Sequence, residues 1–111
     1  MTAEQLFDVL TKYAESQGIR LNKDREFTLD IIRGLLTNEA RYGYRSCPCR
    51  LAWGEKEKDR DIVCPCVYRD PDIAEYGSCY CALYVSADWN EGKIERRQVP
   101  ERRPQEKRKM M

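Results

Sequence analysis

The chain has 111 residues, of which 35% are charged and 41% hydrophobic, and its net charge at pH 7 is +1. This length fits one domain, and the modest apolar share makes a hydrophobic core marginal without a covalent or metal staple. No apolar run approaches the length of a membrane span and the charged N-terminus has no signal-peptide core, so we expect a cytoplasmic protein without membrane contact. Because the chain has no histidine, Cys2His2 zinc fingers, Rieske centres and Cys–His catalytic pairs are excluded.

Two amphipathic helices are predicted in the first 40 residues. Residues 2–17 carry apolar side chains at helical spacing, and Gly18 is well placed to end that helix. A second helix is predicted to begin near Asn22 or Asp24 and to run towards Ala40. Gly34, in its middle, is interpreted as a point of close approach to another helix.

The rest of the chain carries weaker signals. The charged run 54–61 is predicted to be a solvated loop or helix face, and residues 72–76 are predicted to form one helical turn that ends at Gly77. Residues 82–86 are too short a run to assign. The segment 95–111 has seven Lys/Arg against three Glu and is predicted to be a basic, flexible tail after a domain of residues 1–94. Its basic residues are not interleaved with aromatics, so nucleic-acid binding is not expected.

The cysteines are the feature around which the chain is organised. All six lie in three Cys-x-Cys pairs within residues 47–81, and two of the pairs are Cys-Pro-Cys. Proline fixes its own φ and restricts the residue before it, so each Cys-Pro-Cys is a stiff bend that presents two sulfurs. The pairs are Cys47 with Cys49, Cys64 with Cys66, and Cys79 with Cys81.

Several uses of six cysteines remain open at this point. In a secreted protein they would suggest three disulfides, whereas in a reducing cytosol metal binding or redox chemistry is favoured. A structural zinc site would use four thiolates, usually at the wider Cys-x2-4-Cys spacing, and would leave two unexplained. A 4Fe–4S cluster also takes four thiolates, although the ferredoxin spacings are absent; the remaining pair is what a disulfide-reducing centre requires.

The segment 41–51 (RYGYRSCPCRL), followed by Cys64-Pro65-Cys66 and Cys79-Tyr80-Cys81, closely resembles the catalytic (β) chain of ferredoxin–thioredoxin reductase. The resemblance covers about residues 22–86. It implies a small, mainly α-helical single-domain protein whose helices and loops wrap around one 4Fe–4S cluster. By motif position it implies cluster ligands at Cys47, Cys64, Cys66 and Cys79, and a redox-active disulfide between Cys49 and Cys81.

The same resemblance implies the activity and the partners. Electrons would come one at a time from a ferredoxin-type donor and leave to the disulfide of a thioredoxin-like protein. Cys49 would attack the target disulfide and Cys81 would resolve the mixed disulfide. Arg45 and Arg50 flank the first pair and are interpreted either as favouring thiolate at Cys49 or as plain surface charge. A small variable subunit, present in plant and cyanobacterial relatives, is a candidate partner.

One position departs from the family motif. The third pair is Cys-His-Cys in the family, where the histidine lies beside the disulfide and helps to manage protons, whereas this chain has Tyr80 there. A phenol does not carry protons at neutral pH as an imidazole does. This position leaves a non-catalytic iron–sulfur electron carrier or sensor as an alternative. A zinc-binding interaction module is a second, less favoured alternative.

Overall fold

A computed structural model describes residues 1–109 of the chain. Helix α1 spans Ala3–Ser16. Its N-terminus is a reciprocal capping box, because the Thr2 hydroxyl accepts from the Gln5 amide and the Gln5 side chain accepts from the Thr2 amide. The chain leaves the helix through Gly18 at a φ of 75°, a left-handed conformation that favours glycine. The prediction for this segment is confirmed.

Helix α2 spans Arg25–Tyr42 and packs against α1. The Asp24 carboxylate accepts from the Phe27 amide and caps the N-terminus. Gly43, in the left-handed region, ends the helix by donating its amide to the Glu39 carbonyl. The prediction is confirmed, with the end two residues beyond Ala40.

Three shorter helices follow. Helix α3 spans Lys56–Asp59 and continues as a 3-10 turn over Arg60–Ile62, so the charged run is partly helical. Helix α4 spans Arg69–Tyr76 and ends at Gly77 as predicted, but it begins three residues earlier than expected. Helix α5 spans Ala87–Asn90 and has no counterpart in the sequence prediction.

The strands are few and short. Strand β1, Arg20–Leu21, pairs antiparallel with β2, Tyr84–Val85, with Leu21 opposite Tyr84. This pairing assigns part of the segment 82–86, which the sequence left open. It also brings the turn after α1 next to the residues that follow the third cysteine pair.

The core forms between the two long helices and the cysteine loops. Leu6 of α1 and Ile32 and Leu35 of α2 are buried in one cluster with Ile62, Leu83 and Tyr84, and the sulfurs of Cys47, Cys79 and Cys81 belong to the same cluster. The architecture is mainly α-helical, as expected. Among the described residues, no helix is long and apolar enough to cross a membrane.

The C-terminal segment contacts the body of the protein. Val99 is buried and the Arg103 side chain is only 1% exposed, paired with Asp61 at 2.9 Å. A 3-10 turn spans Gln105–Lys107. The C-terminal segment therefore packs on the rest of the protein through these residues. The domain boundary at residue 94 and the flexibility of the segment stay predictions. The last two residues of the predicted tail, 110 and 111, lie outside the described residues.

Candidate iron–sulfur and thiol site

Main-chain hydrogen bonds hold the first two cysteine pairs side by side. Ser46 and Val63 form an antiparallel bridge immediately before the two Cys-Pro-Cys turns. The Cys47 amide donates to the Ile62 carbonyl and the Cys64 amide donates to the Arg45 carbonyl, both at 2.8 Å. The two turns therefore have a fixed register, although 17 positions separate them in the sequence.

The third pair is attached to the small sheet. Ser78 bridges to Val85, and the Cys79 amide donates to the Tyr84 carbonyl at 2.9 Å. Between them lies Ala82 with a φ of 60°, and its amide donates to the Cys79 carbonyl. This tight turn presents the sulfurs of Cys79 and Cys81 to the core.

Five of the six cysteines line one small, almost wholly apolar cavity. They are Cys47, Cys64, Cys66, Cys79 and Cys81. Cys49 does not line this cavity. It is exposed and borders two surface grooves, both of which also include Tyr80. The six sulfurs are thus divided into an enclosed group and one sulfur open to solvent.

Hydrogen bonds among the sulfurs set the acidity of the thiols. The pKa of Cys47 is lowered, first because its sulfur accepts a hydrogen bond from Cys49 and then because it accepts one from Cys81. The pKa of Cys49 is raised, chiefly because its thiol donates to Cys47. Burial raises the pKa of Cys64 and that of Cys66. The pKa of Cys81 is raised, first by Cys47 and then by Cys49, and the sulfurs of Cys79 and Cys81 lie 3.8 Å apart.

Donors other than thiols also reach the enclosed sulfurs. The Tyr84 amide donates to the Cys79 sulfur at 3.4 Å, and the Arg50 Nη1 donates to the Cys66 sulfur at 3.6 Å. Hydrogen bonds of this kind stabilise negative charge on sulfur and are among the factors that set the potential of iron–sulfur centres.

The two arginines beside the first pair have different surroundings. Arg45 pairs with Glu39 at 3.0 Å. The Arg50 side chain is 2% exposed and is held by Glu101, so plain surface charge is wrong for Arg50. Neither arginine is among the largest influences on the pKa of Cys49, whereas Arg50 lowers that of Cys47.

Tyr80 contacts a cation. The Arg50 guanidinium lies over the Tyr80 ring, 4.6 Å from its centroid, within the range of a cation–π interaction. Tyr80 also lines both the cysteine cavity and the two grooves beside Cys49. Tyr80 joins the exposed and the enclosed parts of the site.

The donor set fits a thiolate-bound iron–sulfur cluster in its chemistry. Five sulfurs line one cavity, its other lining residues include two arginines, and no carboxylate lines it. Within residues 1–109, no group of three or more cysteine or acidic side chains stands in the geometry of a bound metal ion. The fit therefore rests on the type and grouping of the donors.

Sequence reasoning missed Glu101 and Arg103 as neighbours of the site. Glu101 holds Arg50, and Arg103 donates its backbone amide to Glu101 at 2.8 Å. Their only sequence signal is the high charge of the C-terminal segment, which predicts a solvated tail. The contact of Arg50 with Glu101 joins positions 51 residues apart, so no local pattern reports it.

Comparison with known proteins agrees with the motif. A family model described as "Ferredoxin thioredoxin reductase catalytic beta chain" matches residues 1–106. The match extends beyond the cysteine region to both long helices and to most of the C-terminal segment. No curated protein matches the chain.

Proposed function

The chain belongs to the ferredoxin thioredoxin reductase catalytic beta chain family, and we propose that it is an iron–sulfur disulfide reductase. The proposed reaction takes electrons one at a time from a ferredoxin-type donor and reduces the disulfide of a thioredoxin-like protein. The single observation that carries it is the division of the sulfurs: Cys49 is exposed, whereas Cys81 is buried and lines a cavity with four other cysteines.

Four sulfurs are proposed as the ligands of one 4Fe–4S cluster: Cys47, Cys64, Cys66 and Cys79. All four line the enclosed cavity. When bound there, a cluster would supply single electrons next to Cys81. The protein contributes the thiolates, with the amide of Tyr84 and the guanidinium of Arg50 as donors to sulfur.

Cys49 and Cys81 are proposed as the redox-active pair. The Cys49 thiol, whose pKa is raised, first loses its proton to solvent, and its sulfur then attacks one sulfur of the target disulfide. A bond forms between Cys49 and the target, and the other target sulfur leaves as a thiolate. Cys81, after losing its own proton, attacks the Cys49 sulfur, which closes the Cys49–Cys81 disulfide and releases the second target sulfur as a thiolate. The two protons lost by the pair balance the two that convert the target thiolates to thiols. Two electrons and two protons return the pair to thiols.

The different environments of the two sulfurs support this division of roles. A nucleophile must reach the disulfide of another protein, and Cys49 is the exposed sulfur. A resolving thiol must reach only Cys49, and Cys81 is buried next to it. The driving force has the right sign: a donor near −400 mV against an acceptor near −270 mV gives roughly 6 kcal/mol for two electrons.

A second candidate function rests on Tyr80. The family histidine is absent, and the Tyr80 ring contacts Arg50, so the chain could be a non-catalytic iron–sulfur carrier or sensor. That function needs the four ligand sulfurs and leaves Cys49 and Cys81 as inert thiols. The small variable subunit and a cytoplasmic setting, where thiols stay reduced, stay proposals in either case.

Cysteine-to-serine variants separate these candidates. We expect Cys49→Ser to keep its iron and to lose reduction of a target disulfide, whereas Cys64→Ser loses iron as well. Iron content, the visible spectrum and the rate of thioredoxin reduction with a chemically reduced ferredoxin give the readouts. A Cys49→Ser protein that reduces the target at the wild-type rate would contradict the reductase.

A further inference from the structure

Arg50 is a buried cation at the edge of the cysteine cavity. Its side chain is 2% exposed, and its guanidinium lies 4.6 Å from the ring centroid of Tyr80 and 5.3 Å from that of Tyr68. Burying a cation costs free energy unless it is paired. A guanidinium stays protonated in proteins, and the Glu101 carboxylate pairs with this one at 2.9 Å. Arg50 therefore stays positive at the site.

A carboxylate from the C-terminal segment fixes the orientation of this cation. The Arg50 Nε lies 2.9 Å from each oxygen of Glu101. Glu101 is in turn fixed by the Arg103 amide at 2.8 Å, and the Arg103 side chain binds Asp61 at 2.9 Å. A chain of charged contacts thus runs from the 3-10 turn after α3, through the C-terminal segment, to Arg50.

The far end of the guanidinium points into the sulfur group. Nη1 donates to the Cys66 sulfur at 3.6 Å. Nη2 is buried and has no hydrogen-bond partner among residues 1–109. Buried donors are rarely left without a partner, so a donor in this position is suited to a group bound in the cavity that Arg50 lines.

We infer that Arg50 is a positioning residue for the iron–sulfur site, held by Glu101 so that its guanidinium supports Cys66 on one side and the Tyr80 ring on the other. The inference rests on the proposed function. It makes the C-terminal segment part of the redox site, and it gives Tyr80 a role that does not need a titrating side chain. The family histidine is replaced by a ring that packs on a fixed cation.

The inference has a consequence for the reduction potential. A positive charge and an N–H donor near a ligand sulfur stabilise the more negative, reduced form of a cluster and so raise its potential. Removing Arg50 should therefore lower the potential. Glu101→Gln should raise it, because the side-chain oxygen of the glutamine can still accept from the Arg50 Nε and hold Arg50 in place, as Glu101 does, while the site gains one unit of positive charge.

The test measures the midpoint potential of the bound cluster by an optical redox titration under anaerobic conditions. The proteins are wild type, Arg50→Met, Arg50→Lys, Glu101→Gln and the control Arg60→Met, whose side chain is 73% exposed. We expect a lower potential in Arg50→Met, a smaller decrease in Arg50→Lys, a higher potential in Glu101→Gln, and no change in Arg60→Met.

The opposite signs distinguish positioning from simple structural damage. Equal potentials in Arg50→Met and Arg60→Met would overturn the inference alone, as would shifts of Arg50→Met and Glu101→Gln in the same direction. If Arg50→Met binds too little iron for a titration, Arg50→Lys and Glu101→Gln test the inference instead: it predicts a lower potential in the first and a higher potential in the second. A wild-type protein that binds no iron would overturn the proposed function, and the inference with it.

Discussion

At the scale of single residues, Tyr80 has the most informative surroundings. Its ring borders the enclosed cavity and the grooves beside Cys49, and it contacts the Arg50 cation at 4.6 Å. An aromatic ring in this place supplies packing area and a π face. Because Cys49 is exposed, solvent can exchange protons with it directly.

A histidine at this position would change the pH dependence of the reaction. We expect Tyr80→His to introduce a step in the rate of target reduction near pH 6.5, because an imidazole ordinarily titrates there and a phenol does not. The measurement is the rate of disulfide reduction between about pH 5.5 and 8.5. Tyr80→Phe, which keeps the ring, is the control and should show no such step. If Tyr80→His and Tyr80→Phe had the same dependence of rate on pH, the side chain at position 80 would take no part in proton transfer at the site.

At the scale of elements, helix α2 supports the first Cys-Pro-Cys turn through a glycine. A Cβ atom built on Gly34 would lie 2.7 Å from the Cβ of Pro48, closer than carbon atoms pack. The sequence interpretation of Gly34 as a point of close approach is therefore right, but its partner is wrong: the contact is with a cysteine loop, not with a helix.

Replacing Gly34 separates helix propensity from packing. Alanine should gain about 1 kcal/mol as a helix former, but overpacking against Pro48 costs about 1 to 3 kcal/mol. We expect Gly34→Ala to be destabilised, in urea unfolding, and to bind iron less tightly. Thr37→Ala, at an exposed position of the same helix, should be neutral or slightly stabilised. A Gly34→Ala protein that gains as much stability as Thr37→Ala would show that the loop can move away at little cost.

The C-terminal segment is fixed to the α3 region by one arginine. Arg103 is 1% exposed and pairs with Asp61 at 2.9 Å and with the fully buried Asp59 at 3.5 Å. Asp59 also accepts from the amides of Trp53 and Gly54 and from the Tyr44 hydroxyl. A single side chain thus compensates two acidic groups that lie largely out of water.

Removing Arg103 should leave these carboxylates without their cation. Breaking a buried ion pair by removing one partner typically costs about 3 to 5 kcal/mol, so we expect Arg103→Met to lower the free energy of unfolding by about 3 kcal/mol. Arg60→Met removes an exposed pair and should cost less than about 1 kcal/mol. Urea denaturation of both proteins gives the comparison. If Arg103→Met lost no more free energy of unfolding than Arg60→Met, the ion pairs of Arg103 would contribute little to stability.

At the scale of the whole molecule, the sequence predicted the long helices, whose spacing and caps are local features. Helices α1 and α2 follow from apolar spacing, the caps at Thr2 and Asp24, and the glycines that end them. Helix α5 and the two-residue strands were not predicted, because such short elements depend on tertiary contacts rather than on local propensity. The same reason hid the ion pairs of Arg50 and Arg103, whose partners lie 51 and 42 positions away.

The cysteine site was partly predictable in the same sense. The spacing and the family motif grouped the sulfurs, and five of them line one cavity. The roles of the individual sulfurs stay predictions. Spacing could not reveal that a carboxylate from the C-terminal segment holds a cation beside Cys66.

The most direct test of the central claim is an anaerobic count of iron, sulfide and free thiols on the purified chain. We predict about four iron and four sulfide per chain, with Cys49 and Cys81 resistant to alkylation after mild oxidation and reactive after reduction. Iron with both thiols reactive throughout would favour the electron carrier and contradict the reductase. A colourless protein that contains zinc would contradict the iron–sulfur site altogether.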